Sequence, residues 1–100
     1  MTLRLHPLAE NDLKIALNYY GEISPKLKKR FLSYIDKQFN NILKSPNLYQ
    51  YETQTSQKAI MNKFPYIIIY EQYEDVIMIL AIFHTKQNPK KMLQRYNQSL

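Results

Sequence analysis

Two apolar, β-branched runs dominate the second half of the chain, Phe64-Pro65-Tyr66-Ile67-Ile68-Ile69-Tyr70 and Ile77-Met78-Ile79-Leu80-Ala81-Ile82-Phe83-His84. They flank the short acidic segment Glu71-Gln72-Tyr73-Glu74-Asp75, a pattern that predicts a buried β-hairpin with strands over residues 66–72 and 76–84. Both runs are apolar at odd and even positions alike, so both faces of the hairpin require cover. Helices of the same chain suit one face. A partner protein or a second copy of the chain suits the other.

The first half carries helical spacing instead. Leu3 and Leu5 alternate with Arg4 and His6, which predicts a short half-buried strand over residues 2–6. Pro7 suits the first turn of a helix, and Glu10 and Asp12 complement its positive end. Ala9, Leu13, Ala16, Leu17 and Tyr20 form its apolar stripe, with Gly21 expected to end it in a left-handed conformation. Ser24 as N-cap and Pro25 at the first helical position open a second helix. Leu27, Phe31, Ile35, Phe39 and Ile42 keep one face of it apolar for about four to five turns, until Ser45-Pro46 ends it. Phe31, Ile35 and Phe39 are expected to face Ile68, Ile79 and Leu80 or their neighbours.

Residues 47–57 read as a polar connector, residues 58–63 as a weak strand, and residues 89–96 as an optional short helix with Asn88 as its N-cap. The element order is β-α-α-β-β-β, which predicts an α+β fold: a helical hairpin packed on a small antiparallel-type sheet. At 100 residues and 45% hydrophobic content, residues 1–100 are expected to form a single domain with one modest core.

Composition removes several kinds of chemistry. Without cysteine there are no disulfides and no thiol nucleophile, which fits a reducing compartment. The first residues lack the apolar stretch of a signal peptide, and no run approaches the roughly 18 apolar residues of a membrane span, so a cytoplasmic location is expected. His6 and His84 are the only histidines and have no acidic cluster beside them, so no metal site is expected. One glycine cannot build a phosphate-binding loop, and no cofactor is expected. A net charge of +6 suits nucleic acid or an acidic partner protein, or serves solubility alone. Lys26, Lys28, Lys29 and Arg30 read as a solvated helix face. Lys86, Lys90, Lys91 and Arg95 follow the last strand and form either a working surface or a solvated tail. In principle His84, Lys86, Tyr70 and Arg95 supply the base, acid and cations for RNA cleavage through the 2′-hydroxyl. Equally, a strand-end histidine and tyrosines such as Tyr66 and Tyr70 serve structural roles.

Several motifs, in order and spacing, resemble the RelE/ParE superfamily of toxins from type II toxin–antitoxin modules, closest to its ParE-like branch. Leu8-Ala9-Glu10-Asn11-Asp12-Leu13 with Tyr19-Tyr20 is similar to the family's first helix, and Ser24-Pro25 with Arg30-Phe31 to the start of its second. Phe64-Pro65-Tyr66 with Tyr70 is similar to the third-strand motif, Ile79 to His84 to the last strand, and Asn88-Pro89 to the Asp-Pro that often follows. The resemblance implies a growth-inhibiting toxin neutralised by a cognate antitoxin, with Lys86, Lys90, Lys91, Arg95 and Tyr66 as the candidate binding residues. In the ParE-like branch the target is DNA gyrase; in the RelE branch it is mRNA on the ribosome. RelE-type nucleases carry arginine directly after the third-strand tyrosine and again just past the last strand. Here those places hold Ile67 and the run His84-Thr85-Lys86. The catalytic candidates His84, Lys86 and Tyr70 therefore weigh less than a binding surface.

Overall fold

The computed structural model describes residues 1–87 together with Lys91 and Gln94. Of the optional helix at residues 89–96, only those two residues, both helical and exposed, are among them.

Helix α1 spans Pro7–Ile23 and helix α2 Pro25–Lys44. His6 caps α1, its Nδ1 accepting the Leu8 N–H at 3.1 Å. The helix does not stop at Gly21, which has no positive φ. It runs to Ser24, whose extended backbone (φ −165°, ψ 145°) breaks the helical path. Ser24 closes one helix and opens the next: its N–H donates to the Tyr20 carbonyl at 3.0 Å, and its Oγ accepts from the Leu27 N–H at 2.9 Å. A Cβ at Gly21 would sit 3.2 Å from Cδ of the exposed Lys28 on the facing helix, a tight contact that the lysine would relieve by shifting a few tenths of an ångström. Because one side chain caps the only link between the helices, Ser24→Ala is expected to cost about 0.5–2 kcal/mol, read from the midpoint of urea unfolding. An unchanged midpoint would show that the cap bond contributes nothing.

The sheet contains β1 (Thr2–Leu5), β2 (Ser56–Ile60), β3 (Tyr66–Tyr73) and β4 (Val76–His84) in the order β1-β4-β3-β2. The α+β class and element order match the expectation, but the sheet is mixed, because β1 runs parallel to β4 while the other pairs are antiparallel. The helical hairpin carries the chain across one face, and the return through β2 and β3 leaves β4 running in the direction of β1. The weak strand begins and ends earlier than its expected bounds of 58–63. Its end is set by a turn at Lys63 (φ 74°), closed by the Met61 N–H on the Tyr66 carbonyl at 2.9 Å. Its start, Ser56-Gln57, is polar yet buried. Gln57 Nε2 donates to the carbonyls of Pro46 (2.8 Å) and Tyr49 (3.0 Å), which ties β2 to the short 3-10 turn Pro46–Leu48.

A bulge explains the unbroken apolar run of β4. Ile69 pairs with Ala81 but Tyr70 pairs with Ile79, leaving Leu80 as an extra residue. Before it Ile77 and Ile79 face the helices; beyond it Ile82 does. Ala81 and Phe83 turn to the opposite face with Ile67 and Ile69, and Leu80 packs there too rather than against α2. Ile69 and Ala81 are 0% exposed and Phe83 1% within one chain, so these three need no partner or second copy to cover them. On the helix face Phe31, Ile35 and Ile42 are buried, while Phe39 is only half-buried.

Candidate functional site

An open groove of about 620 Å³ lies where the outer face of α1 meets the end of the β3–β4 hairpin. Its α1 wall is an exposed apolar stripe of Ile15, Tyr19 and Ile23, spaced four residues apart so that they stack along one side. The other wall is Pro65, Tyr66, His84, Lys86 and Gln87, brought together because Tyr66 pairs with His84 at the hairpin's open end.

The floor of this groove rests on a block of aromatic rings. The Tyr66 ring meets the His84 ring edge-on at 5.4 Å, and Tyr66 stands 5.1 Å from Phe31 and 6.2 Å from Tyr20. Phe64 completes the aromatic block, 5.1 Å from Phe31 and 5.2 Å from Tyr20. His84 is held by its surroundings: its Nδ1 accepts the Lys86 N–H at 3.1 Å. Its backbone N–H donates to Gln87 Oε1 at 2.9 Å, and Thr85 N–H reaches back to the Pro65 carbonyl at 2.8 Å. Beside the groove, Asp12 Oδ2 on α1 accepts the Ile82 N–H at 2.9 Å and ties the helix to β4.

Burial pushes the Tyr66 hydroxyl up from its ordinary 10.0 to about 12, reinforced by the neighbouring Tyr20 and the hydrogen bond the two hydroxyls share. Burial raises Tyr20 as well. The folded state thus holds these protons more tightly than the unfolded chain does. Stability from this source is intact below pH 10.0 and falls as pH rises toward about 12. Urea midpoints are expected to drop across that window, and less so in Tyr66→Phe.

The residues proposed from sequence divide. Tyr66, His84 and Lys86 converge on the groove. Tyr70 does not: it is buried four residues along β3, about 13 Å away by strand rise, and its hydroxyl donates to the Pro46 carbonyl at 2.6 Å. Burial, with smaller contributions from Tyr49 and Tyr51, raises its pKa strongly. This is a tyrosine that holds the 3-10 turn to the sheet, not a groove residue. Lys91 is exposed and helical, and Lys90 and Arg95 lie outside the described residues. Reading the sequence missed Ile15, Tyr19, Ile23, Asp12 and Gln87. The four-residue spacing of the first three was the available signal, hidden beside the more regular core stripe of the same helix.

Lys86 is the one lysine or arginine among the groove's described lining residues. Among the described residues no cluster of three or more His, Asp or Glu is placed to hold a metal, and no helix is long and apolar enough to cross a membrane.

Two helices on this mixed sheet recur in solved structures. The chromosomal ParDE toxin–antitoxin system from P. aeruginosa superposes with a TM-score of 0.74 at 19% identity, covering 84% of this chain and 95% of that one. The isolated E. coli RelE toxin gives 0.56 at 12% identity over 99% of this chain and 98% of its own. These likenesses show that the chain shares its fold with the ParDE chain and with RelE. In sequence, Toxin ParE2 of Mycobacterium tuberculosis, in strains CDC 1551 / Oshkosh and ATCC 25618 / H37Rv, is 27% identical over 88 residues, spanning 87% of this chain and 84% of ParE2. The family described as "ParE toxin of type II toxin-antitoxin system, parDE" matches residues 3–89. The chain belongs to this ParE toxin family.

Proposed function

We propose that this toxin arrests growth by binding a protein target, DNA gyrase, through the groove between α1 and the hairpin end, and that a cognate antitoxin silences it by occupying the same surface. The observation that carries this reading is the described lining: three exposed apolar side chains, two aromatic rings held against the core, and one lysine among the described residues. Such a surface gives the buried aromatic anchors on which protein interfaces depend. Cleavage of RNA needs cations converging on the phosphate, and among the described lining residues Lys86 is the one lysine or arginine. Lys86 and Lys91, with Lys90 and Arg95, are placed in sequence to meet acidic residues of the antitoxin or target, an attraction that weakens as salt rises.

The deciding experiment is induction of the chain in cells with separate readouts of plasmid supercoiling and of translation. Loss of supercoiling with translation initially intact is expected. Rapid loss of translation with normal supercoiling would overturn the gyrase reading in favour of a RelE-like nuclease. Absence of growth arrest would mark a binding module without toxin activity.

A further inference from the structure

Helix α2 carries most of the chain's charge. It holds six of the 14 lysines and arginines against one carboxylate, Asp36, a net +5 within a chain of +6. Read as sequence, its basic cluster is a solvated face; the structure shows that it is ordered. Lys26, Arg30, Lys37 and Lys44 fall at intervals of four, seven and seven residues, the repeat that keeps side chains on one side of a helix, and all are exposed. Ser33 and Asn40 fill the gaps between them, and Lys29 borders the line. The buried residues Phe31, Ile35 and Ile42 occupy the opposite side. The result is a straight basic stripe about 27 Å long at 1.5 Å per residue. None of these cations pairs with a carboxylate of the described residues, among which Lys58 and Glu52 form an ion pair at 3.2 Å on β2 and the preceding loop.

We propose that this α2 stripe binds the phosphate backbone of a duplex nucleic acid without reading its sequence. The chemistry of the face chooses the partner. An acidic protein interface would need an apolar or aromatic anchor among the charges, and the stripe has only lysine, arginine, serine and asparagine along its length. Phosphate contacts need nothing more than cations and small polar donors. A convex rod with charges every one or two turns meets successive phosphates along a groove wall. The stripe is separate from the groove that α1 and the hairpin form, so one molecule can engage both partners at once.

The test is titration of the intact protein onto short duplexes of DNA and of RNA, followed by fluorescence anisotropy over a series of salt concentrations. The affinity is expected to fall steeply with salt, with a slope of about −0.9 per phosphate neutralised and about four phosphates engaged. Binding of either duplex or of both supports backbone recognition and names the source. The variant carrying Lys26→Gln, Arg30→Gln, Lys37→Gln and Lys44→Gln changes only exposed side chains; it is expected to keep its thermal midpoint and to lose most of the salt slope and at least tenfold in affinity. Lys86→Gln, in the groove, serves as the matched control and is expected to leave duplex affinity nearly unchanged. No binding at low salt, or equal binding by the fourfold variant, overturns the proposal. So does displacement by polyglutamate as effective as by duplex at equal charge, which would point to an acidic protein surface instead.

Discussion

Phe31→Ala is expected to destabilise the protein by about 3–5 kcal/mol, a large share of the roughly 5–15 kcal/mol that holds a small domain folded. The ring is fully buried and stands at the centre of an aromatic block, 4.9 Å from Tyr20 and 5.1 Å from both Phe64 and Tyr66. Truncation removes apolar surface from the core and leaves a cavity bounded by rings that are themselves tied to α1, to the turn before β3 and to β3. None of them can move inward without losing its own contacts. Denaturant unfolding monitored by circular dichroism measures the loss. A variant with an unchanged midpoint would mean that the block does not organise the core. The same substitution is expected to blunt binding at the groove, because Tyr66 and His84 rest on this block.

Replacing the α1 stripe should have the opposite profile. Ile15, Tyr19 and Ile23 are 61%, 59% and 58% exposed, so the folded core gains little from them. If they anchor the partner, Tyr19→Ala together with Ile15→Ser is expected to weaken antitoxin or target binding by about 2–4 kcal/mol, roughly 30- to 1,000-fold. The thermal midpoint should hardly change. Growth arrest on induction and titration against the purified antitoxin measure the two effects. Full toxicity and full antitoxin affinity in this variant would show that the groove is not the working surface. Attention would then pass to the lysines beyond β4.

How much of this was legible in the sequence depends on how local each signal is. Ser24-Pro25 and Ser45-Pro46 mark helix boundaries through their own backbone and capping chemistry, and the structure places both boundaries there. Gly21 has no such context. A left-handed stop needs a positive φ, and at Gly21 the helix instead runs on to Ile23, where the Ser24 cap ends it. The start of β2 was hidden because Ser56 and Gln57 are polar, and Gln57 finds its partners in carbonyls at Pro46 and Tyr49. Tyr66 and Tyr70 are the same residue on the same face of the same strand, yet one stands at the groove and the other is locked under the 3-10 turn. The site was half legible: Tyr66, His84 and Lys86 are close in sequence to the hairpin end, whereas the α1 wall comes from more than forty residues earlier in the chain.

The extra residue at Leu80 makes β4 tolerant of a lost residue at one position and intolerant of it at the neighbouring ones. Val76 to Phe83 is a run of small and large apolar side chains capped by one aromatic, and losing one member would scarcely alter its composition. Its effect would depend on which member was lost. Deleting Leu80 would close the bulge with Ile79 still on Tyr70 and Ala81 still on Ile69, so the partners and orientations on both sides would survive, down to His84 beside Tyr66. The local bend and added twist of the strand would go, together with the apolar cover that Leu80 gives Ala81 and Phe83. Deleting Ile82 would let the hairpin end keep its pairing only by closing the bulge with Leu80 on Ile69 and turning Ala81 into the helix-facing place of Ile82. A single-codon deletion would thus be absorbed at Leu80 and would hollow the core two residues later.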